Sequence, residues 1–386
     1  MRLPDDGPAG YLDSASSEPL HPAARETLLA ALDRGWADPR RLHREARNAR
    51  LLLDNAREVV AAALDVRRDE VTFTGSGTEA VHRGLLGLLQ GRRRQGDLIL
   101  HSAVEHSSVI HAADWAVAAG ASRTSLPVDR LGRLSVDTVR AALTADAAAG
   151  SGVAVLAVQS ANHEVGTVQP LAQVADATNG VPVFMDACAS MGRLPLPTGW
   201  AAAAGSSHKW GGPAGVGVLL VRKGAPWRNP FPVDDRGDER ASGFENVPGV
   251  LAAAAALQAI LGERDELDAR QRLLIDRVRA SVSAIPDVEV VGDPDDRLPH
   301  LVTFSCLYVD GEALVTELDR RGFGVASGSA CTASTLTPSH VLEAMGVLTH
   351  GNVRLSLTRT TPDDEVDRFL TELPDVVKAL RADVGM

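Results

Sequence analysis

Short apolar runs alternate with segments of helical periodicity over residues 55–225. Strand-like runs occupy residues 71–74, 98–100, 153–158, 181–185 and 216–221. Helix-like patterns occupy residues 55–64, 78–90, 107–119, 136–148 and 171–178. This alternation is typical of crossover connections, so we predict an α/β domain with a mostly parallel sheet covered on both faces. Ligands of such a domain bind beyond the carboxyl ends of its strands.

The pattern changes after Pro248. An alanine-rich helical pattern runs from residue 250 through a charged segment to residue 285, which is too long for a crossover alone. Strand-like runs and shorter helical patterns follow, and they predict a smaller α+β lobe. We therefore divide the chain into a large domain, residues 14–250, and a small domain, residues 251–386, with residues 1–13 beside the small one. Two loops are predicted to be mobile: residues 228–248 and the Gly/Ser/Ala-rich residues 324–336, which carry Cys331.

Composition excludes several classes of protein. The 386 residues are 45% apolar and 23% charged, which excludes a disordered or fibrous chain. A net charge of −11 disfavours nucleic acid and anionic membranes as main partners, and 4% aromatic residues leave little for a base-stacking surface. No apolar run approaches the roughly 20 residues of a membrane span, and the first residues lack a secretory pattern. Three scattered cysteines indicate neither a disulfide framework nor a metal site, so we predict a reduced, cytoplasmic protein without metal.

Lysine is rare in this chain: Lys209, Lys223 and Lys378 are the three among 39 basic residues. Lys209 follows an apolar run and lies among small residues in the segment SSHKWGGP. Desolvation lowers the pKa of a lysine and makes its amine a nucleophile towards carbonyl groups. Lys209 is thus a candidate Schiff-base residue, while a surface-loop lysine is the alternative and suits Lys223 and Lys378 better.

Asp186 directly follows the strand-like run 181–185. This position predicts a carboxylate at the carboxyl edge of the sheet, where burial is costly unless the carboxylate meets a cation. The protonated pyridine nitrogen of pyridoxal 5'-phosphate is one such cation. Capping of the next turn is the alternative.

Residues 75–79, GSGTE, join a strand to a helix. The N–H groups at the start of a helix, with the hydroxyls of Ser76 and Thr78, can bind a phosphate. No Gly-Lys-Ser/Thr follows, so the segment is not a Walker loop. An ordinary N-cap explains the same residues.

Three further residues carry candidate chemistry. His106 follows a strand and can stack on a flat ring or move protons near neutral pH, although a loop histidine is often only solvated. Cys331 lies among small polar residues, where a thiol is accessible and reactive, unlike Cys306 in its apolar run. Arg354 can bind a carboxylate with its planar guanidinium group.

Together these segments resemble the cysteine desulfurases, class V members of the fold-type I enzymes that use pyridoxal 5'-phosphate. The resemblance runs from residues 11–13 to the last helix. Its most specific motifs are SSHK at residues 206–209 and SGSACT at residues 327–332, the latter typical of the long-loop branch. The resemblance implies a large cofactor-binding α/β domain and a smaller α+β domain.

The resemblance also implies roles for individual residues. Lys209 would hold the cofactor as a Schiff base, Asp186 would contact its pyridine nitrogen, and His106 would stack on its ring and serve in catalysis. The phosphate would be held by Gly77, Thr78, Ser206 and His208.

Substrate and partners follow from the same resemblance. Arg354 would bind the carboxylate of L-cysteine, and Cys331 would take its sulfur as a persulfide for an acceptor protein, leaving L-alanine. The resemblance also implies a homodimer. Two alternatives remain: a pyridoxal phosphate lyase or transaminase for another amino acid, and a non-catalytic sulfur-carrier or scaffold relative.

Four positions depart from the family pattern. His163 replaces an asparagine that contacts the phenolic oxygen of the cofactor, and it can still donate a hydrogen bond there. Ala189 replaces a glutamine and has no polar side chain. Phe244 stands where a threonine reaches the partner's phosphate, and His82 replaces an asparagine of the phosphate-loop helix. Because such contacts tune the electronics of the ring, the changes bear on rate and substrate.

Overall fold

The computed structural model describes residues 9–149, 152–232, 239–327, 338–383 and 385. Within these residues the strands form two sheets. The seven strands of the large sheet are β1 (Val71–Thr74), β2 (Leu98–Ser102), β3 (Ser122–Leu126), β4 (Val153–Gln159), β5 (Val183–Asp186), β6 (Ala202–Ser206) and β7 (Gly217–Val221). The three strands of the small sheet are β8 (Val288–Val291), β9 (Leu301–Cys306) and β10 (Asn352–Ser356).

Helices cover both sheets, and side chains cap several of them. The helices are α1 (Pro22–Leu32), α2 (Arg44–Leu64), α3 (Gly77–Arg92), α4 (Ser107–Ala118), α5 (Val136–Ala149), α6 (Leu171–Asp176), α7 (Val247–Ser283), α8 (Gly311–Arg320), α9 (His340–Met345) and α10 (Asp363–Asp383). Ser76 caps α3 by accepting a hydrogen bond from the N–H of Glu79, and Asp310 caps α8 in the same way. Such caps satisfy N–H groups that have no partner inside the helix.

The large sheet is mostly parallel, as predicted. Its strand order is β1-β7-β6-β5-β4-β2-β3, and only β7 runs against its neighbours among the described strands. The link from β6 to β7 is too short for a crossover, which needs about a dozen residues or more, so β7 returns antiparallel. All seven residues of β4 are buried, because helices cover both faces of the sheet.

A smaller antiparallel sheet, in the order β10-β9-β8, confirms the predicted α+β lobe. Residues 9–13 lie beside it, since the N–H of Leu12 donates to Gly324 O at 2.9 Å and Leu12 O accepts from Ser356 N at 2.8 Å. Helix α7 contributes Val250 to the core of the large sheet and Leu274 to that of the small sheet. The domain boundary at residue 250 lies inside this continuous helix and stays a prediction.

Strands β3 and β6 and helix α1 are not among the predicted elements, and helix α2 begins earlier than predicted. Strand β3 lies at the edge of the sheet and has four exposed residues before buried Leu126, so its sequence SRTSL shows no apolar run. Helix α2 begins at Arg44, earlier than the predicted residue 55, because its first turns bury small side chains, Ala46 and Ala49, between arginines. No helix in the described part of the chain is long and apolar enough to span a membrane.

Candidate active site

A pocket of about 240 Å³ opens at the carboxyl ends of β1, β2, β4, β5 and β6. The pocket thus lies at the edge of the sheet where ligands of an α/β fold bind. The predicted site residues that line this pocket are Gly77, Thr78, His106, His163, Asp186, Ser206, His208, Lys209 and Arg354. Cys331 lies outside the described residues. The roles of all these side chains stay predictions.

The residues predicted to bind a phosphate form the side of the pocket at the start of α3. A Cβ atom added to Gly77 would lie 2.6 Å from Ser206 Cβ and 3.2 Å from Cys188 Sγ, so only glycine allows this close approach. Ser206 Oγ is 3.1 Å from His208 Nδ1. The N–H groups at the helix start, with the hydroxyls of Thr78 and Ser206, make a site suited to an anion.

Asp186 is a buried carboxylate at the end of β5. Its Oδ1 accepts a hydrogen bond from the N–H of Cys188 at 2.9 Å. Gln159, at the end of β4, is its partner in the sheet register and also lines the pocket. A carboxylate in this position favours a cationic group on the ligand.

Lys209 ends a single 3₁₀ turn, Ser207–Lys209, that follows β6 directly. Its Nζ donates a hydrogen bond to Ala15 O. Lys223 and Lys378 are exposed, and neither lines this pocket. Lys209 therefore supplies the lysine amine of the pocket.

His106 is the N-cap of α4, and this contact sets its tautomer. Its Nδ1 accepts from the N–H of Ser108 at 3.1 Å and lies 2.8 Å from Ser108 Oγ. Burial lowers the pKa of His106, Asp186 opposes that shift, and the Lys209 ammonium adds to it. The neutral ring therefore carries its proton on Nε2 and can donate that hydrogen to a group in the pocket.

His163 meets His106 at the pocket wall. The two rings lie edge to face, with centroids 4.9 Å apart and an interplanar angle of 76°. Burial holds the pKa of His163 well below its ordinary value, and His106 and Arg354 add to the shift. His163 is therefore neutral at pH 7.

Arg354 brings a buried guanidinium group to the pocket from β10. Its Nη2 donates to Asp13 Oδ1 at 2.8 Å and to Ser16 Oγ at 2.6 Å. Its Nε is buried without a hydrogen-bond partner in the described structure. A ligand carboxylate would compete with Asp13 for this guanidinium group.

Six lining residues were not predicted as site residues: Ser16, Ser108, Gln159, Ala161, Cys188 and Ala189. Cys188 is a half-buried side chain that lines the pocket. Its thiol pKa is raised well above the usual value by burial and by Asp186, so it stays protonated and a poor nucleophile. Gln159 could have been predicted, since it ends a buried strand as Asp186 does.

Two of the four departures lie away from the pocket. Phe244 is 56% exposed. His82 is half-buried on α3, and its Nε2 has no hydrogen-bond partner in the described part of the chain. His163 and Ala189 both line the pocket.

A larger open groove of about 900 Å³ lies elsewhere, next to β1. Its lining is rich in arginine and acidic residues, and pairs such as Arg40–Glu245 at 2.7 Å link them. No lysine, histidine or cysteine is among its described lining residues. The smaller pocket therefore remains the candidate active site.

Glu105, next to His106, is a fully buried acid. Its protonation should make the stability of the protein depend on pH. Its Oε1 accepts from Ser102 Oγ at 2.6 Å and from Gln159 N at 2.9 Å. Burial raises its pKa from 4.5 to about 8. Between these values the folded protein holds a proton that the unfolded chain releases, so the free energy of unfolding falls as pH rises.

We expect Glu105→Gln, which mimics the protonated acid, to remove this loss. As pH rises from 5 to 8, the free energy of unfolding of the variant should increase relative to that of wild type by an amount on the order of a few kcal/mol. Urea unfolding at both pH values measures the gain. The exposed Glu266→Gln variant is the control. If the free energies of unfolding of Glu105→Gln and wild type differed by the same amount at pH 5 and at pH 8, the prediction would be contradicted.

Comparison with known proteins identifies the family. The Aminotransferase class-V model matches residues 10–369. The chain is 31% identical to the cysteine desulfurase IscS of Methanosarcina thermophila, over 97% of this chain and 93% of that protein. It is 37% identical to an IscS-like cysteine desulfurase of Mycobacterium tuberculosis, over 96% and 97% of the two chains.

A solved structure agrees with these sequence matches. A NifS-like protein superposes with a TM-score of 0.87 at 26% identity, covering 96% of this chain and 100% of that one. The family model, the relatives and the fold agree, so the chain belongs to the aminotransferase class-V family and, within it, to the cysteine desulfurases.

Proposed function

We propose that this protein converts L-cysteine to L-alanine and places the sulfur on Cys331 as a persulfide. The balance is simple: L-cysteine and one protein thiol give L-alanine and one protein persulfide, with no external oxidant. The observation that carries the proposal is that an amine, a buried carboxylate and an anion site meet in one pocket, formed by Lys209, Asp186 and the start of α3.

The residues present fit pyridoxal 5'-phosphate. The helix start at Gly77, where a Cβ would collide with Ser206, suits the phosphate. Asp186 suits a protonated pyridine nitrogen, Lys209 suits an aldehyde carbon, and His106 suits a ring face. When bound, this cofactor supplies an electron sink that stabilises negative charge on the Cα atom of an amino acid.

The protein's own residues then bind and move protons. Arg354 binds the carboxylate of L-cysteine with its guanidinium group, in competition with Asp13. Lys209 Nζ and His106 Nε2 are the two groups in the pocket that we assign to proton transfer at the substrate.

Sulfur transfer is assigned to Cys331 and not to Cys188. The thiolate of Cys331 attacks the substrate sulfur, the C–S bond breaks, and its electron pair stays with the carbon that becomes the alanine methyl group. Cys188 lies in the pocket, but its raised pKa keeps it in the unreactive thiol form.

The proposal is tested by incubating the cofactor-loaded protein with L-cysteine and no reductant. We expect one alanine per persulfide in the first turnover. Pyruvate or another keto acid, formed from L-cysteine or from another amino acid, would favour a lyase or transaminase instead. A protein that takes up no added cofactor would favour the sulfur-carrier or scaffold alternative.

We also propose a cytoplasmic homodimer that passes its persulfide sulfur to an acceptor protein. The resemblance to the family supports the homodimer and the acceptor protein. The Phe244 side chain is 56% exposed, which is consistent with a dimer interface there. Molecular mass in solution, measured by light scattering, tests the dimer.

A further inference from the structure

A small cavity lies beside the candidate active site. It measures about 10 Å³ and is lined by, among others, His163, Ala189, Arg193, Lys209, Leu298 and His300. His163, Ala189 and Lys209 also line the active-site pocket, so these three side chains form the wall between the two spaces.

Two histidines that line this cavity each have a ring nitrogen without a hydrogen-bond partner in the described structure. The Nδ1 atoms of His163 and His300 are buried and make no hydrogen bond in the described structure. His300 is 1% exposed. A buried polar atom without a partner is unfavourable because it gives up its hydrogen bond to water on folding, so an ordered water usually satisfies such an atom.

Both rings are neutral at pH 7. Burial holds the pKa of His300 well below its ordinary value, and Arg193, Arg354 and Lys209 add to the shift. His163 is shifted in the same direction, and the charged or titratable groups that act on it are His106, Arg354, Lys209 and His340. Each ring therefore has one N–H and one bare nitrogen that can accept a hydrogen bond.

The size and polarity of the cavity suit one water molecule. A single water needs roughly 10 Å³ and two to four polar partners. We propose that this cavity holds one ordered water that donates hydrogen bonds to Nδ1 of His163 and Nδ1 of His300. The small side chain of Ala189 leaves the space for it.

The water gives His300 an indirect role at the active site. By donating to Nδ1 of His163, it fixes the His163 proton on Nε2. His163 is then a neutral hydrogen-bond donor in the wall of the pocket, held against the His106 ring at 4.9 Å. His300 is thus a positioning residue for His163, and Ala189 is the residue whose size admits the water.

The direct test is a high-resolution crystal structure of the purified protein, with or without cofactor. Density for a water within hydrogen-bond distance of both Nδ1 atoms supports the proposal, and its absence in His300→Phe supports it further. An empty cavity in the wild-type crystal overturns it. This arm does not depend on the proposed function.

A solution test follows the visible absorption of the cofactor-loaded protein against pH, and it rests on the proposed function. His300→Phe replaces a neutral ring by another neutral ring outside the pocket, so it changes no charge there. Without the water, the proton of His163 is no longer held on Nε2. His163 is then a weaker hydrogen-bond donor to the anionic oxygen of the cofactor. The titration midpoint should therefore rise by about half to one pH unit.

The control is His101→Phe, which alters a buried histidine that lines neither space and should leave the midpoint unchanged. An unchanged midpoint in His300→Phe overturns the positioning role. If that variant does not fold, His300→Leu replaces it, and the wild-type crystal still decides on the water. A protein with no visible band after cofactor addition contradicts the proposed function and leaves the crystal test intact.

Discussion

Lys209→Ala should abolish alanine formation from L-cysteine, with a fall of about 10³-fold or more. The variant loses the lysine amine of the pocket, and with it a proton-transfer group of the kind worth about 10² to 10⁴ in rate. Borohydride reduction of the loaded wild-type protein should leave a stable adduct on Lys209. Because a modified lysine blocks trypsin, the adduct should appear in an uncut peptide of residues 194–222, in which Lys209 is the lone lysine.

Lys223→Ala is the matched control for this experiment. Its side chain is exposed and lies outside the pocket, so adduct and activity should both persist. A reducible lysine adduct that survives in Lys209→Ala would refute the assignment.

Cys331→Ser should retain the bound cofactor but form no persulfide. Alanine formation should fall below about one hundredth of the wild-type rate, since the variant loses the group that attacks the substrate sulfur. Trypsin places each cysteine in its own peptide: residues 141–193 hold Cys188, residues 298–320 hold Cys306, and residues 322–354 hold Cys331. A mass gain of one sulfur atom is expected in residues 322–354 of the wild type.

Cys306→Ala provides the comparison, because Cys306 is buried in the core of the small sheet. That variant should still form the persulfide. Alanine release at the wild-type rate by Cys331→Ser, or a sulfur gain in residues 141–193, would show that the attack step is wrongly assigned.

Local sequence patterns predicted most elements of the fold, because a buried strand or helix carries its periodicity in its own residues. The seven buried residues of β4 and the long helix α7 follow from such runs. Strand β3 was missed because an exposed edge strand needs no apolar run. Its pairing with β2 depends on backbone hydrogen bonds, which any sequence can make.

The candidate chemistry at single positions also follows from the sequence. Asp186 after an apolar run, Lys209 among small residues and the GSGTE segment each point to a ligand site at a strand end. The resemblance to cysteine desulfurases joined them into one hypothesis, and the relatives support that family assignment.

The sequence alone determined the alternating order of strands and helices, and it singled out the rare Lys209 and Asp186 at the end of a strand. Each of these inferences depends only on residues that are neighbours in the chain. Only the tertiary structure decided which distant residues meet. Arg354 pairs with Asp13, 341 residues away, and His163 shares a cavity with His300. Such contacts depend on strand order and on the packing of the two sheets, and no periodicity within either segment encodes them.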